Sequence, residues 1–368
     1  MQTYPSMRYQ RHTILPQFGA EAQRRLERAR VLVVGMGGLG SPVARILAAA
    51  GVGHLVLQDH DRVSASNLAR QTLYTPEDVG QLKVDVAAAA LIRQNPSVRV
   101  DTRAEPFVCY GPDDGLVGVE VVVDGTDDYA TRYALSDACY WRGIPLVSAA
   151  LFRYELQVTT LLVGDGPCYR CLYPTPPGVA RAVDCSSAGV WSPAVAVAGS
   201  IQASEVLHLL AQGKSPLSSK QWLLDLASME TFTVRTSRTE TCAVCGHDPS
   251  IVNPPDYKVF CTGAAVPFVD LSSVWSNGRW KDSVVTIDLR EENERMPGDP
   301  VCTMNLPVHD ALASTEIPGG AGKQIVLVCS SGRRATRVAK DWQQRLTQGR
   351  SVSVLRGGIE AMTPWQRP

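Results

Sequence analysis

The stretch 30–53, RVLVVGMGGLGSPVARILAAAGVG, constrains this chain more than any other. It is a β-rich run, a turn with Gly35, Gly37 and Gly40 in G-x-G-x-x-G spacing and Gly38 between them, and a helical pattern. The spacing predicts a strand, a tight loop and a helix. Glycines let the backbone approach a phosphate closely, and the amides at a helix start favour an anion. Asp59 follows Gly40 by nineteen residues at the end of the next β-rich run, where a carboxylate can accept hydrogen bonds from ribose hydroxyls. Taken alone, the loop points to an oxidoreductase that binds NAD or FAD, or to a tight turn without a ligand.

Around this unit the chain alternates β-rich runs (31–34, 55–58, 121–124, 145–148) with helical patterns (83–93, 129–142), which predicts parallel βαβ units. After Cys245 the text HDPSIVNPPDYKVF, broken by Pro249, Pro254 and Pro255, reads as a linker. A second alternation follows, with strands expected at 268–271, 284–289, 325–328 and 352–355 and a helix at 334–346. The expected division is therefore 1–248, a linker at 249–262, and 263–368, consistent with two compact units in 368 residues. Lys plus Arg and Asp plus Glu number 36 each, so no net field favours nucleic acid or an acidic membrane. The first residues, MQTYPSMRYQRHTILPQFG, hold no apolar run behind a basic start, and the uncharged stretch 185–204 reads as a loop leading into a buried helix. A soluble, cytoplasmic protein acting on small or protein substrates is expected.

The text after Asp59 changes the reading of the loop. Asp59 and Asp61 form D-x-D; Ser66-Asn67-Leu68-Ala69-Arg70-Gln71 follows, then Gly80 to Lys83, then Asp124-Gly125-Thr126-Asp127-Asp128. With Arg8-Tyr9-Gln10-Arg11-His12 near the start, residues 7–246 resemble the ubiquitin-activating-type adenylyltransferases, especially MoeB and ThiF. The resemblance implies a Rossmann-like ATP-binding domain with a mixed sheet and a structural zinc. It places Asp59 on the ribose, Arg70 and Lys83 on the triphosphate with Asn67 as a neutral donor, and Asp127 on magnesium. It also has Arg11 reaching into a neighbouring protomer, hence a homodimer. Joining a carboxylate to the α-phosphate brings anions together, which is why cations and a metal are needed. Arg70 and Lys83 could instead be solvated helix charges, and Asp127 a helix cap. The departures, His60 at an aromatic position and Gln58 at an apolar one, remove no charged participant.

Ten cysteines are present. Cys168-Tyr169-Arg170-Cys171 and Cys242-Ala243-Val244-Cys245 are two C-x-x-C pairs able to offer four thiolates to one tetrahedral zinc; a redox dithiol is the competing reading. Cys185, among small polar residues, is expected on an exposed loop. The resemblance makes that loop a mobile crossover whose cysteine in some relatives engages the carrier or sulfur; a bystander is the alternative.

Beyond the linker, residues 267–365 resemble a rhodanese: Ile287-Asp288-Leu289-Arg290-Glu291, the strand IVLVC, and Leu355-Arg356-Gly357-Gly358-Ile359. Cys329-Ser330-Ser331-Gly332-Arg333-Arg334 lies between a strand and a helix, where amides and arginines should lower the thiol's pKa and stabilise a persulfide anion. Cys329 is the expected sulfur carrier, Arg334 closes the loop, and Arg333 adds charge. A tyrosine-phosphatase-like loop needs one more residue before its arginine, and position 335 is alanine. An inactive docking module is the other alternative. Met362 stands where the family pattern has tryptophan.

Together the two resemblances imply that ATP adenylates the C-terminal glycine carboxylate of a ubiquitin-like sulfur carrier protein. A persulfide on Cys329, charged by a cysteine desulfurase or thiosulfate, then yields a thiocarboxylate. Three rivals stay open: conjugation through a thioester on Cys185, an NAD- or FAD-linked oxidoreductase fused to a sulfurtransferase, and a zinc-stabilised docking protein.

Overall fold

The computed structural model describes residues 7–109, 115–164, 166–176, 189–255, 257, 266–314, 316–318, 323–346 and 351–362. Cys185 lies outside the described residues, as does part of the stretch read as a linker. The chain divides into two units, Met1–Pro176 with Val183–Tyr257, and Pro177–Ala182 with Lys258–Pro368.

The first unit is built on an eight-stranded sheet: β1 (Arg30–Val34), β2 (His54–Gln58), β3 (Arg99–Arg103), β4 (Val121–Asp124), β5 (Leu146–Phe152), β6 (Glu155–Leu161), β7 (Lys220–Asp225) and β8 (Glu230–Arg235), in the order β3-β2-β1-β4-β5-β6-β7-β8. The strands from β3 to β5 run parallel, and β6, β7 and β8 add in antiparallel fashion. VLVV, LVL and VVVD are nearly continuous apolar runs because the central parallel strands are covered on both faces. The helices are α1 (Gly19–Arg28), α2 (Gly40–Ala50), α3 (Lys83–Gln94), α4 (Tyr129–Arg142) and α5 (Ser192–Gln212). Leu26, Val31, Leu47, Leu55, Leu91, Val123 and Val206 meet in one core from helices and strands alike.

By length and composition α5 is long and apolar enough to cross a membrane, but most of it is buried inside this unit. It packs on α1 and α2 and against β4, β5 and β6. Its fully buried Gln202 donates from Nε2 to the Asp124 carbonyl at 2.9 Å. A polar group placed this way ties the helix to the end of β4, and it explains why an apolar helix carries a glutamine.

The second unit has a parallel sheet of β9 (Phe268–Val269), β12 (Val284–Asp288), β13 (Met304–Asn305), β14 (Gln324–Val328) and β15 (Val352–Leu355), ordered β13-β12-β14-β15-β9. A small hairpin, β10 (Trp275–Ser276) with β11 (Arg279–Trp280), forms a separate sheet whose tryptophans pack against the cluster holding Val284, Val326 and Val328. Helices α6 (Val308–Ala313) and α7 (Arg333–Arg345) pack together, and the fully buried Trp342 of α7 donates its indole N–H to the Ala311 carbonyl at 3.1 Å. The first strand is shorter than the sequence predicts, because the chain turns helical at Leu271–Val274. Met362, at the tryptophan position of the family pattern, is buried with Val328, Leu355 and Ile359.

Candidate functional site

β1 leads on to β2 on one side, whereas its other neighbour β4 leads on to β5 on the far side, so the connections from the C-terminal ends of β1 and β4 diverge. Open α/β sheets bind ligands in the crevice at such a point. Three glycines close it from below. A Cβ on Gly40 would lie 1.8 Å from the Gly35 carbonyl oxygen, one on Gly35 2.7 Å from that of Gly125, and one on Gly125 2.6 Å from that of Gly35. Gly35 also has φ +87°, which side chains rarely adopt. The glycine turn and the Asp124-Gly125 turn are therefore packed backbone against backbone. Gly37 and Gly38 are less confined: the nearest atoms to a Cβ would be side-chain atoms of Gln71 and Val195.

Asp59 holds the turn in place. Its Oδ2 accepts the Met36 amide at 2.7 Å and its Oδ1 the Asp61 amide at 2.8 Å. A carboxylate has about four acceptor positions, so capacity for a ribose remains. Lys83, at the start of α3, is only 5% exposed and donates from Nζ to Asp61 Oδ2 at 2.9 Å. It is therefore a buried ion-pair lysine rather than a solvated helix charge. Asn67 accepts the Ser64 amide at 3.3 Å in a short 3-10 turn, and half-exposed Arg70 donates back to the Ser66 carbonyl at 3.0 Å. Gln71, the last residue of that motif, is buried beside Gly37 with an Oε1 that has no partner. Nothing in the sequence marks this glutamine as more than the last residue of its motif.

On the other side of the crevice, Asp124 accepts Thr126 N at 3.0 Å, Thr126 Oγ1 at 2.6 Å and Ser148 Oγ at 2.7 Å, and pairs with Arg132 Nε at 3.0 Å. Arg132 was missed in the sequence; its signal is an arginine on an otherwise buried face of α4. It also donates to the Thr126 and Ala149 carbonyls. Asp128, not Asp127, caps α4, accepting the Thr131 amide at 2.8 Å. Asp127 is exposed at the mouth of the box. Arg11 is exposed in the short helix Gln10–Thr13, next to Tyr9, whose hydroxyl accepts Asn95 Nδ2 at 2.9 Å.

The two C-x-x-C pairs meet. Cys168 Sγ lies 3.5 Å from Cys242 Sγ, Cys171 Sγ 3.2 Å from Cys245 Sγ, and Cys168 Sγ 3.9 Å from Cys171 Sγ. A tetrahedral ion with ~2.3 Å bonds to sulfur needs edges of about 3.8 Å, and four soft donors, three buried and Cys171 partly so, suit it. The knuckle sits on α4: Arg170 makes a bidentate pair with the buried Asp137, from Nε at 2.9 Å and Nη2 at 2.8 Å, and Tyr257 donates its hydroxyl to Asp137 Oδ2 at 3.0 Å. Burial raises the Asp137 carboxyl pKa against the opposing pull of Arg170 and Tyr257. Tyr257, inside the stretch read as linker, is thus anchored to the first unit. Tyr257→Phe is expected to cost about 1–2 kcal/mol through the lost hydrogen bond to a buried carboxylate, read as a lower midpoint in urea unfolding.

In the second unit the strand β14 delivers Cys329 to a turn in which its Sγ accepts the Gly332 amide at 3.2 Å and the Ala335 amide at 3.4 Å. Gly358 backs the turn; a Cβ there would lie 2.2 Å from the Cys329 carbonyl oxygen. Arg334 closes it, donating from Nη2 to Ser330 Oγ at 3.1 Å. One expectation is corrected. Cys329 is 1% exposed, and burial raises its thiol pKa more than the Ala335 and Gly332 amides and Arg334 lower it. Arg334 is also paired with Glu294, a partner that the loop sequence does not reveal. The side chain of Arg333 is outside the described residues.

Comparison with known proteins agrees with this arrangement. The ThiF family pattern matches residues 9–244. "Sulfur carrier protein adenylyltransferase" of Thermus thermophilus is 44% identical over 261 residues, 69% of this chain and 96% of the relative. "Adenylyltransferase and sulfurtransferase MOCS3" of Bos taurus is 43% identical over 259 residues, 70% of this chain but 57% of the relative, so the match spans little more than half of that protein. The protein of the same name from Culex quinquefasciatus is 35% identical over 347 residues, 88% of this chain and 79% of the relative. Among solved structures, Escherichia coli MccB with MccA-N7isoASN shares the fold at TM-score 0.54 and 24% identity, over 61% of this chain and 69% of its own. The glycine turn locked to the Asp124-Gly125 turn, Asp59 under the loop, and Cys168, Cys171 and Cys242 of the joined cysteine pairs lie in residues matched by one pattern, which ends one residue before Cys245. The chain belongs to the ThiF family.

Proposed function

We propose that this protein activates the C-terminal carboxylate of a ubiquitin-like sulfur carrier with ATP and converts it to a thiocarboxylate. The observation that carries the reading is the crevice between β1 and β4, where the glycine turn, the Asp59–Asp61–Lys83 group and the Asp124–Asp128 box converge. The names of the relatives, a sulfur carrier protein adenylyltransferase and an adenylyltransferase and sulfurtransferase, support the substrate class.

In this reading the amides of the glycine turn, Arg70, Asn67 and Lys83 hold the triphosphate, and Asp59 holds the ribose. Asp127 would hold magnesium, which offsets phosphate charge while the carboxylate attacks. The carrier carboxylate displaces pyrophosphate from the α-phosphate, giving an acyl-adenylate whose leaving group is AMP. Lys83 would release Asp61 to reach phosphate, or act through it. Zinc held by Cys168, Cys171, Cys242 and Cys245 is structural in this scheme. The second unit is read as a rhodanese: the terminal sulfur of a Cys329 persulfide attacks the acyl carbon, and AMP leaves. A thiol, Cys185 or an external one, cleaves the resulting acyl disulfide to release the thiocarboxylate, leaving a disulfide on Cys329 that a further thiol reduces. A cytoplasmic homodimer, with Arg11 completing the partner's site, belongs to the same proposal, as do a cysteine desulfurase or thiosulfate as sulfur source. Cys185, being outside the described residues, adds no support to a thioester route.

The test is exchange of labelled pyrophosphate into ATP with a carrier ending in Gly-Gly. Exchange should depend on the carrier and on magnesium. An enzyme that shows none with any cognate carrier, yet retains its zinc and its fold, is not an adenylyltransferase of this kind.

A further inference from the structure

The guanidinium at the end of the Cys329 turn is already matched to a carboxylate from elsewhere in the unit. Arg334 donates from Nη1 to Glu294 Oε2 at 2.6 Å and from Nη2 to Glu294 Oε1 at 2.8 Å, and Nη2 also reaches Ser330 Oγ. Glu294 is itself fixed. It ends the 3-10 turn Glu292–Glu294, where its Oε2 accepts the Glu291 amide at 2.9 Å. Partial burial pushes its carboxyl pKa up, but the bonds from Arg334 and Glu291 outweigh this and hold it below the usual range, so it is ionised at neutral pH. The next guanidinium along, Arg290, is likewise matched, to Asp288 and Asp299. Among the described side chains, the turn thus offers amides and a charge-compensated arginine.

We propose that Glu294 determines which sulfur donors the turn accepts, by cancelling the charge of Arg334 and so disfavouring dianionic donors such as thiosulfate against hydropersulfides. This rests on the reading of Cys329 as the sulfur-accepting thiol. In both reactions the Cys329 thiolate attacks the sulfane sulfur. A hydropersulfide R–S–SH gives Cys329–S–SH and releases R–S⁻, the electron pair of the broken S–S bond leaving on the thiolate. Thiosulfate gives Cys329–S–S⁻ and releases sulfite, again without an external oxidant. The two differ in charge: thiosulfate brings two negative charges to a thiolate that is already anionic, whereas a hydropersulfide brings one at most. Only the first needs an uncompensated cation, and like charges brought together discriminate strongly. Glu294 acts through Arg334 and is a positioning and specificity residue, not a catalytic one.

The experiment follows sulfur loading of the full chain from thiosulfate and from 2-hydroxyethyl hydropersulfide. Glu294→Gln keeps an oxygen that can accept the Glu291 amide, so the turn is preserved while the charge is removed. The ratio of kcat/KM for thiosulfate to that for the hydropersulfide is expected to shift about tenfold toward thiosulfate, carried mainly by a lower KM for thiosulfate. The uncovered charge should also make the variant's thiosulfate reaction fall more steeply with salt than the wild type's. Glu294→Asp, which keeps the charge, should stay nearer the wild-type ratio than Glu294→Gln. A ratio that stays within about twofold, or moves toward the hydropersulfide, overturns the role of Glu294 alone. A wild-type chain that takes up no sulfur from either donor overturns the reading of Cys329, and this proposal with it.

Discussion

Replacing Asp127 by alanine should lower carrier-dependent pyrophosphate exchange by about a thousandfold or more, the scale of losing the magnesium that Asp127 would hold to offset phosphate charge, and change the melting temperature little. The neighbouring aspartate makes the comparison sharp. Asp128 accepts the Thr131 amide at 2.8 Å and the Thr131 hydroxyl at 2.7 Å, so it is the helix cap. Asp128→Ala should therefore cost about 1 kcal/mol and a few degrees of melting temperature, with exchange reduced only modestly. The two substitutions remove the same charge one residue apart, so a general electrostatic effect would move both in the same way. The assignment fails if Asp127→Ala exchanges at the wild-type rate, or if its loss of exchange is matched by an equal loss of stability.

Four of the five parallel strands of the first unit could be read from sequence because their apolar runs are bounded by glycine turns and helices, which is a local signal; β3, RVDTR, carries no apolar run and was not expected. The antiparallel part could not. ELQVTTL, KQWLLD and ETFTVR mix polar and apolar residues, and β8 is exposed along its whole length, so only its partner defines it as a strand. The same divide runs through the site. Spacing shows two C-x-x-C pairs, but that Cys168 meets Cys242 across 74 positions is a property of the fold. A strand-to-helix turn with arginines implies a lowered thiol pKa, and the residue types are right. What sequence does not show is that Cys329 is buried, and desolvation of the thiolate then outweighs the favourable dipoles. Glu294 and Tyr257 were missed for a related reason: each matters through a partner far along the chain, Arg334 and Asp137, whereas Arg132 was missed because nothing local shows that it is buried against the nearby Asp124.

Those partners also link the knuckle to the crevice. Between the first two cysteines, Tyr169 packs near the Arg132 guanidinium and Arg170 pairs with Asp137, both on α4. Arg132 in turn holds Asp124, and the first turn of the same helix follows Asp127. The first C-x-x-C segment therefore packs on the helix that follows the acidic box, a structural role for the cysteine knuckle.

Replacing Cys329 by alanine should stop thiocarboxylate formation, by at least about ten-thousandfold, because the group that bonds to sulfur is gone. Carrier-dependent pyrophosphate exchange should continue, since acyl-adenylate forms in the other unit. Truncation also leaves the Gly332 and Ala335 amides without the sulfur that they donate to, so Cys329→Ser, which keeps an acceptor, is the companion variant. It should lose thiocarboxylate equally and exchange normally. Thiocarboxylate is scored by the mass gained when sulfur replaces oxygen on the carrier. The raised thiol pKa gives the wild type a signature of its own. Only the thiolate attacks, and burial makes it scarce at neutral pH, so persulfide loading should accelerate as pH rises beyond the range where an ordinary thiol has already ionised. A loading rate that levels off below that range would mean that the turn opens before it reacts, and thiocarboxylate made at the normal rate by either variant would remove Cys329 from the path.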